Sequence, residues 1–441
     1  MAEHSPEKPA ARGVRPAREV APARRCAYTV IRRVFERGAY ADRALQAESR
    51  DLDARDRALA MRLSYGAVQR RATLDHLIAQ LAERPVARLD APLLAALRLG
   101  LYELCYLDGA PAYATVGDAV ELARGAAPAG GGLVNAVLRR AAREGAATLL
   151  DGLTDATPEQ AALKHSHPEW VARLWFQTLG PEQARALMAA DNEPSELAVR
   201  ANTLLTDADA LARELPVRSH RDPDIPEALV LEEPLDLYGS PQWRAGALIA
   251  QSRAAMLVSR TLAPASGERV LDLCAAPGAK STHLAALMGG RGEVLAVERD
   301  RRRAGELART VQRVGAGNVR VEVGDAALER SDGPFDRVLV DPPCSGLGVL
   351  GARADLRWRA SERAVEEMSR AQQAILAAGA HALRPGGVLV YSTCTISPAE
   401  NERVIASFLE SRPDFSVDRV RQTLPHRDHT AGFFIARLSR S

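Results

Sequence analysis

Two cysteines stand where apolar runs give way to proline- or serine-rich turns: Cys344 in DPPCSGLG (341–348) and Cys394 in YSTCTISPAENE (391–402). A thiol there suits one chemical problem well. Carbon 5 of a cytosine is not nucleophilic enough to attack a sulfonium methyl group. A thiolate added to carbon 6 makes carbon 5 enamine-like, and the addition must later be reversed. An acid near the ring nitrogen N3 helps, and Asp341 fits that role. A lone cysteine is most often a small buried hydrophobe, but packing does not readily explain two thiols at one edge of a sheet.

The Asp-Pro-Pro turn can form a rigid wall that holds an extracted base by its edge. Amino-group methyltransferases typically follow that turn with an aromatic residue for stacking, whereas here Cys344 follows. Spacing does not decide which thiol attacks. On chemistry alone Cys344 is favoured, because a proline-cysteine turn carries the nucleophile of DNA cytosine methyltransferases.

A third motif, DLCAAPGAKS (272–281), ends an apolar run in a tight turn at Gly278 that enters a helix. Free N–H groups at such a turn suit a carboxylate or phosphate. Glu298 closes the next strand, the usual place for an acid that holds adenosine ribose hydroxyls. Asp325, after a third strand, is placed to meet an adenine amino group; the competing reading for each acid is a helix cap. The turn after this strand lacks the G-x-G-x-x-G pattern, which disfavours a dinucleotide enzyme. The chain has three lysines, Lys8, Lys164 and Lys280, against 55 arginines. Lys280 in a glycine-proline loop therefore suggests a need for a flexible point charge.

Strand-helix alternation from about residue 268 places these residues. ERVLDLCA, GEVLAVE, VRVEVG, FDRVLVD, GGVLVYSTC and GFFIARL read as strands between helices, implying a parallel sheet covered on both faces. Ligands bind beyond the carboxyl ends of such strands, where the candidate residues fall. Residues 21–145 read as an all-helical bundle. In it, RDRALAMRLSYGAVQRRATLDHLIAQL puts Leu59, Leu63, Val68, Leu74 and Leu77 on one apolar face, and AAPAGGG (126–132) is a loop. Two short helices opened by Pro168 and Pro181 follow, then a small α+β unit with strands at 197–203 and 228–233, leading into a helix over 246–262. The expected domains are a mobile tail (1–20), the helical bundle (21–145), a small α+β domain (155–245) and a Rossmann-like catalytic domain (246–441).

A length of 441 residues, 46% hydrophobic and 26% charged, suits a soluble multidomain protein with a sizeable core. With 4% aromatic residues, that core must be aliphatic. No apolar run approaches the roughly 18 residues of a membrane span, no signal-peptide core is evident, and the cytosol is the expected compartment. Five scattered cysteines without C-x-x-C spacing give no zinc site and no disulfide framework. The first 150 residues hold 23 Arg and Lys against 17 Asp and Glu, and the other 291 hold 35 against 39. A basic front end on a mildly acidic body is consistent with an RNA-holding module joined to a catalytic one.

In order and spacing, DLCAAPGAKS, DPPCSGLG and YSTCTISPAENE resemble the RNA 5-methylcytosine methyltransferases of the NOL1/NOP2/Sun type. The resemblance runs from VRANT (199–203) to GFFIARL (432–438). Residues 21–145 resemble the NusB RNA-binding domain, and the fusion resembles the bacterial RsmB (Fmu/Sun) family, which methylates 16S ribosomal RNA. This resemblance implies Cys394 as nucleophile, Cys344 as the residue that assists release of the methylated base, and Asp341 in contact with base and cofactor. The implied cofactor is S-adenosylmethionine, held by Cys274, Ala275, Ala276, Pro277, Gly278, Ala279, Lys280, Glu298, Asp325 and Asp341. Arg200, Asn202, Arg357 and Trp358 fall in stretches that face RNA in the family. A monomer acting on unassembled or partly assembled small subunit, with no membrane partner and no metal, is expected.

The sequence departs from the family pattern at Ala279, usually glycine, at Glu298, often aspartate, and at Gln251-Ser252, often glutamine-aspartate. None of these removes a reacting group. The rival readings are an amino-group methyltransferase, the same chemistry on transfer RNA, and a non-catalytic NusB-like RNA-binding factor. The first lacks its aromatic residue, and the last would need the cofactor loop or Cys394 to be lost.

Overall fold

The computed structural model describes residues 19–441 and divides the chain into two compact units between Thr154 and Asp155. The tail expected over residues 1–20 lies, through residue 18, outside the described residues.

The first unit is helical throughout its described residues, from Pro22–Arg37 to Ala146–Asp151. Small residues let its helices approach closely. A Cβ on Gly66 would stand 1.9 Å from the Tyr102 ring, and one on Gly100 would stand 2.6 Å from Leu138. A core poor in aromatics is filled in this way, by close backbones and interdigitated Leu, Val and Ala. The long run expected to form one face breaks at Arg70 into helices Ala54–Gln69 and Arg71–Ala82. Leu63, Val68, Leu74 and Leu77 are buried, but Leu59, near the start of the first of these helices, is 37% exposed. The expected glycine loop is also shorter than read: a turn at Pro128–Gly130 leads directly into helix Gly131–Glu144.

One buried ion cluster ties the first helix down. Arg24 pairs with Glu103 and, at 3.1 Å, with Asp118, both acids being 3% exposed.

The second unit opens with helices Pro158–Lys164, Glu169–Leu179 and Pro181–Ala190, the first of which has no counterpart in the sequence reading. An antiparallel sheet follows, ordered β2-β3-β1-β4, from β1 (Ala198–Ala201), β2 (Ser219–Arg221), β3 (Ala228–Leu231) and β4 (Leu248–Ala250). β4 lies inside the segment expected to be helical over 246–262. Leu248 and Ile249 pair with β1, and the helix starts only at Arg253, where the Ser252 side chain accepts from Ala255 N. That cap stops the helix from extending backwards.

The large sheet is ordered β10-β11-β9-β8-β5-β6-β7, from β5 (Arg269–Leu273), β6 (Glu293–Glu298), β7 (Val319–Val323), β8 (Phe335–Val340), β9 (Leu383–Thr393), β10 (Phe415–Gln422) and β11 (Phe434–Arg440). Its β7-β6-β5-β8-β9 portion is parallel, and the β9-β11-β10 pairings are antiparallel. Alternate strand residues face opposite layers. Val270, Val294, Leu339 and Val390 pack under helices Arg253–Leu262 and Ala279–Leu287, while Leu271, Leu295, Val338 and Leu389 pack under helices Glu362–Ala382 and Glu402–Ser411. The sequence gives no warning of the edge strand β10, whose Ser416–Val420 stretch is exposed. No helix of the described residues is long and apolar enough to cross a membrane.

Removing one partner of a buried ion cluster leaves uncompensated charge, so Arg24→Ala should cost about 3 kcal/mol. Urea unfolding of the full chain measures this; a loss under about 0.5 kcal/mol, the scale of a surface substitution, would show the cluster to be dispensable.

Candidate active site

β5 delivers its chain to the sheet edge in a strained turn. Cys274 takes φ +68° and Gly278 φ +103°, and a Cβ on Gly278 would stand 2.6 Å from Leu307. Only glycine meets both demands at residue 278. The turn opens helix Ala279–Leu287, whose first N–H groups have no partner within the helix. Beneath it Ser281 Oγ donates to buried Asp272 at 2.6 Å, and burial pushes that carboxyl up to about 7.

Glu298, at the end of β6, is 4% exposed. Its Oε1 accepts from Asp300 N at 3.0 Å, while its buried Oε2 has no hydrogen bond, the nearest cation being Arg303 at 3.4 Å. An unsatisfied buried carboxylate oxygen is unfavourable unless a ligand donates to it, and a ribose hydroxyl is such a donor. Asp325, exposed beyond β7, accepts from Ala327 N at 3.0 Å. Strained loop, free N–H groups and waiting acid together fit an adenosine-bearing cofactor.

β8 and β9 are parallel neighbours, so the turns at their carboxyl ends meet. The Cys344 and Cys394 sulfurs stand 3.3 Å apart, both partly open to solvent. Beside them Lys280 Nζ donates to Asp341 Oδ2 at 2.7 Å, and Ser392 Oγ donates to Asp341 Oδ1 at 2.8 Å. Burial opposes the Lys280 ammonium, but Asp341 outweighs it and holds the lysine protonated above its ordinary value. Its Nζ also lies 5.2 Å from the centre of the Phe433 ring.

The two thiols are unequal. The hydrogen bond from Cys344 holds Cys394 below the ordinary thiol value against the effect of burial, and Lys280 and Arg353 add positive charge. The same contact, with burial and the acids around it, pushes Cys344 well above that value. These surroundings favour Cys394 over Cys344 as the thiolate of the pair.

Three family models match the chain: 16S rRNA methyltransferase RsmB/F over residues 259–439, the NusB family over 21–143, and the RsmF/B-like ferredoxin-like domain over 167–238. A probable ribosomal RNA small subunit methyltransferase B from Synechocystis is 36% identical, covering 95% of this chain and 99% of its own. The chain belongs to the RsmB/F family of 16S rRNA methyltransferases. A relative in Klebsiella pneumoniae, ribosomal RNA small subunit methyltransferase B, is 32% identical over 94% of this chain and 97% of its own. Among solved structures, PH0851 superposes with a TM-score of 0.81 at 26% identity, over 96% of this chain and 100% of that one. A methyltransferase homologue from Pyrococcus horikoshii gives 0.58 at 27% identity, over 65% of this chain and 100% of that one. RsmB/F membership brings ribosomal RNA methylation and S-adenosylmethionine as methyl donor, in keeping with the turn after β5 and the unsatisfied Glu298 oxygen at the end of β6.

Three residues expected to face RNA do not do so in this structure. Arg200 is 1% exposed and donates to Gln251 Oε1 at 2.8 Å, Thr282 Oγ1 at 3.0 Å and Ala279 O at 3.3 Å. Asn202, also 1% exposed, donates to the carbonyls of Gly246 at 2.9 Å and Val314 at 2.8 Å. Arg357 is 0% exposed and donates to the carbonyls of Ser166 at 2.9 Å and Asp191 at 3.0 Å. Each satisfies backbone carbonyls from distant segments, which local sequence does not reveal. Trp358 is half-buried. The sequence reading did not single out Asp272, Ser392 or Phe433, although all three lie within quoted motifs.

A lowered pKa means more thiolate at a given pH. Iodoacetamide should therefore modify Cys394 at lower pH than Cys274, pushed by burial to about 12, or Cys26 and Cys105, each about 11. Peptide mass spectrometry across a pH series measures the order; Cys394 reacting last would contradict it.

Proposed function

We propose that this chain methylates carbon 5 of a cytosine in 16S ribosomal RNA through a transient covalent bond from Cys394 to the base. The observation that carries the reading is the paired thiols 3.3 Å apart at the edge where β8 and β9 end, one favoured as thiolate by the other. The 16S substrate rests on the family description and on the names of relatives.

S-adenosylmethionine, when bound, supplies an electrophilic methyl group on a sulfonium. Residues 274–280 and the free Glu298 oxygen would hold it, with Asp325 toward the adenine and Asp341 toward the methionine end. The Cys394 thiolate adds to carbon 6, and carbon 5 becomes the nucleophile. Asp341, kept in place by Lys280 and Ser392, would face the N3 edge. Protonated from solvent before attack, it would give N3 the proton that neutralises the charge building up on the ring and take it back when the ring is restored. After methylation carbon 5 still carries its hydrogen, which a base must remove so that the bond to Cys394 can break. Once Cys394 is bonded to carbon 6 its negative charge no longer holds the proton of Cys344, which passes to water through the partly open site. The Cys344 thiolate is then the base this chain offers, and it ends as the thiol again when the bond to Cys394 breaks. The target base must be unpaired or extruded to reach the thiols. Basic residues of the helical unit would contact phosphates, making affinity fall with salt.

Wild type, Cys344→Ala and Cys394→Ala, each incubated with S-adenosylmethionine and unmethylated 16S RNA, are compared on a denaturing gel. Cys344→Ala should accumulate a slow-migrating protein–RNA adduct, while Cys394→Ala should give neither adduct nor methyl transfer. An adduct from Cys394→Ala alone would reverse the thiol roles, and labelled methyl transfer by both variants would refute covalent catalysis.

A further inference from the structure

Beside the thiols lies a buried polar cluster that the reaction as proposed leaves unused. Glu400 is 0% exposed, and its Oε1 accepts from Ser345 N at 2.8 Å and Gln372 Nε2 at 3.0 Å. Its Oε2 accepts from Ser345 Oγ, which stands 2.6 Å from Thr395 Oγ1. Gln372 Nε2 also donates to Pro343 O at 2.9 Å, and Tyr391 OH donates to Glu400 O at 2.6 Å.

Ser345 directly follows Cys344, and Thr395 directly follows Cys394. A single carboxylate thus grips the residue after each thiol, one directly and the other through a shared hydroxyl. Simple packing does not explain this choice. Apolar residues of similar volume can hold two loops together at least as well as a buried charge does. A carboxylate adds directional bonds and a negative charge behind one thiol. The charge disfavours ionisation of Cys344 and does not figure among the main influences on Cys394.

We infer that Glu400 is a positioning residue for methyl transfer, setting the Cys344–Cys394 contact through Ser345 and Thr395. The inference rests on the thiol roles proposed above. Glu400 does not contact the thiols, so its effect on them is indirect.

The test needs no RNA. Full-length wild type, Glu400→Gln and Ser345→Ala are alkylated with iodoacetamide near neutral pH, and the ratio of Cys394 to Cys344 modification is read by mass spectrometry. S-adenosylmethionine binding is measured alongside as a check on folding. Wild type should favour Cys394. Glu400→Gln should lower the preference by about tenfold, equivalent to one unit of relative thiol pKa, and Ser345→Ala should lower it less. Unchanged preference in both variants, with cofactor binding intact, would overturn the positioning role and leave the thiol roles standing. If Glu400→Gln loses cofactor binding, Ser345→Ala decides, and an unchanged ratio there overturns the inference. A wild-type enzyme with no preference for Cys394 would overturn the thiol roles, and this inference with them.

Discussion

The chemistry we propose depends on one contact, between the sulfurs of Cys344 and Cys394. A lone thiol at neutral pH is mostly protonated and a weak nucleophile. A second thiol within bonding distance stabilises the first as thiolate and keeps its own proton. The contact follows from topology. β8 and β9 run parallel and adjacent, so the turns that end them lie side by side despite the long helix Glu362–Ala382 between them in sequence. Lys280, reaching over from the turn after β5 to Asp341, brings a fixed positive charge to the same place.

The surrounding polar residues mainly hold these turns still. Arg200 joins the small sheet to helix Ala279–Leu287 through Thr282 and the Ala279 carbonyl, just behind the cofactor turn. Arg357 fastens the segment beyond Cys344 to the backbone near Ser166 and Asp191. Within the second unit, the small sheet and the leading helices therefore also buttress the catalytic turns. A buried guanidinium suits this task because its planar fork can satisfy several carbonyls at once.

Much of this was legible in the sequence, for identifiable reasons. Parallel strands buried on both faces read as apolar runs, and β5, β6 and β8 were evident from that pattern, as were the turns that carry Cys344, Cys394 and Glu298. β10 was not, because in FSVDRVRQ the alternation begun by Phe415 and Val417 is broken by a register shift against β11 before Arg419. β4 was hidden because LIA, at the start of a helix-like apolar stretch, is fixed as strand only by pairing with β1. Residue chemistry alone favoured the proline-adjacent Cys344 as the attacking thiol, while the family resemblance implied Cys394. The hydrogen bond with Cys344, helped by the positive charges of Lys280 and Arg353, favours Cys394. Arg200, Asn202 and Arg357 were expected at an RNA surface, since polar type and motif position carry no information about burial.

The most direct test of the account is to locate the covalent bond itself. A 16S RNA containing 5-fluorocytidine should trap the wild-type enzyme, because carbon 5 then carries fluorine in place of the hydrogen that must leave. After protease and nuclease digestion, tandem mass spectrometry identifies the peptide that bears the nucleotide. The account predicts the modification on Cys394. A nucleotide on Cys344, or methyl transfer to unsubstituted RNA with no trapped species from the fluorinated RNA, would contradict it.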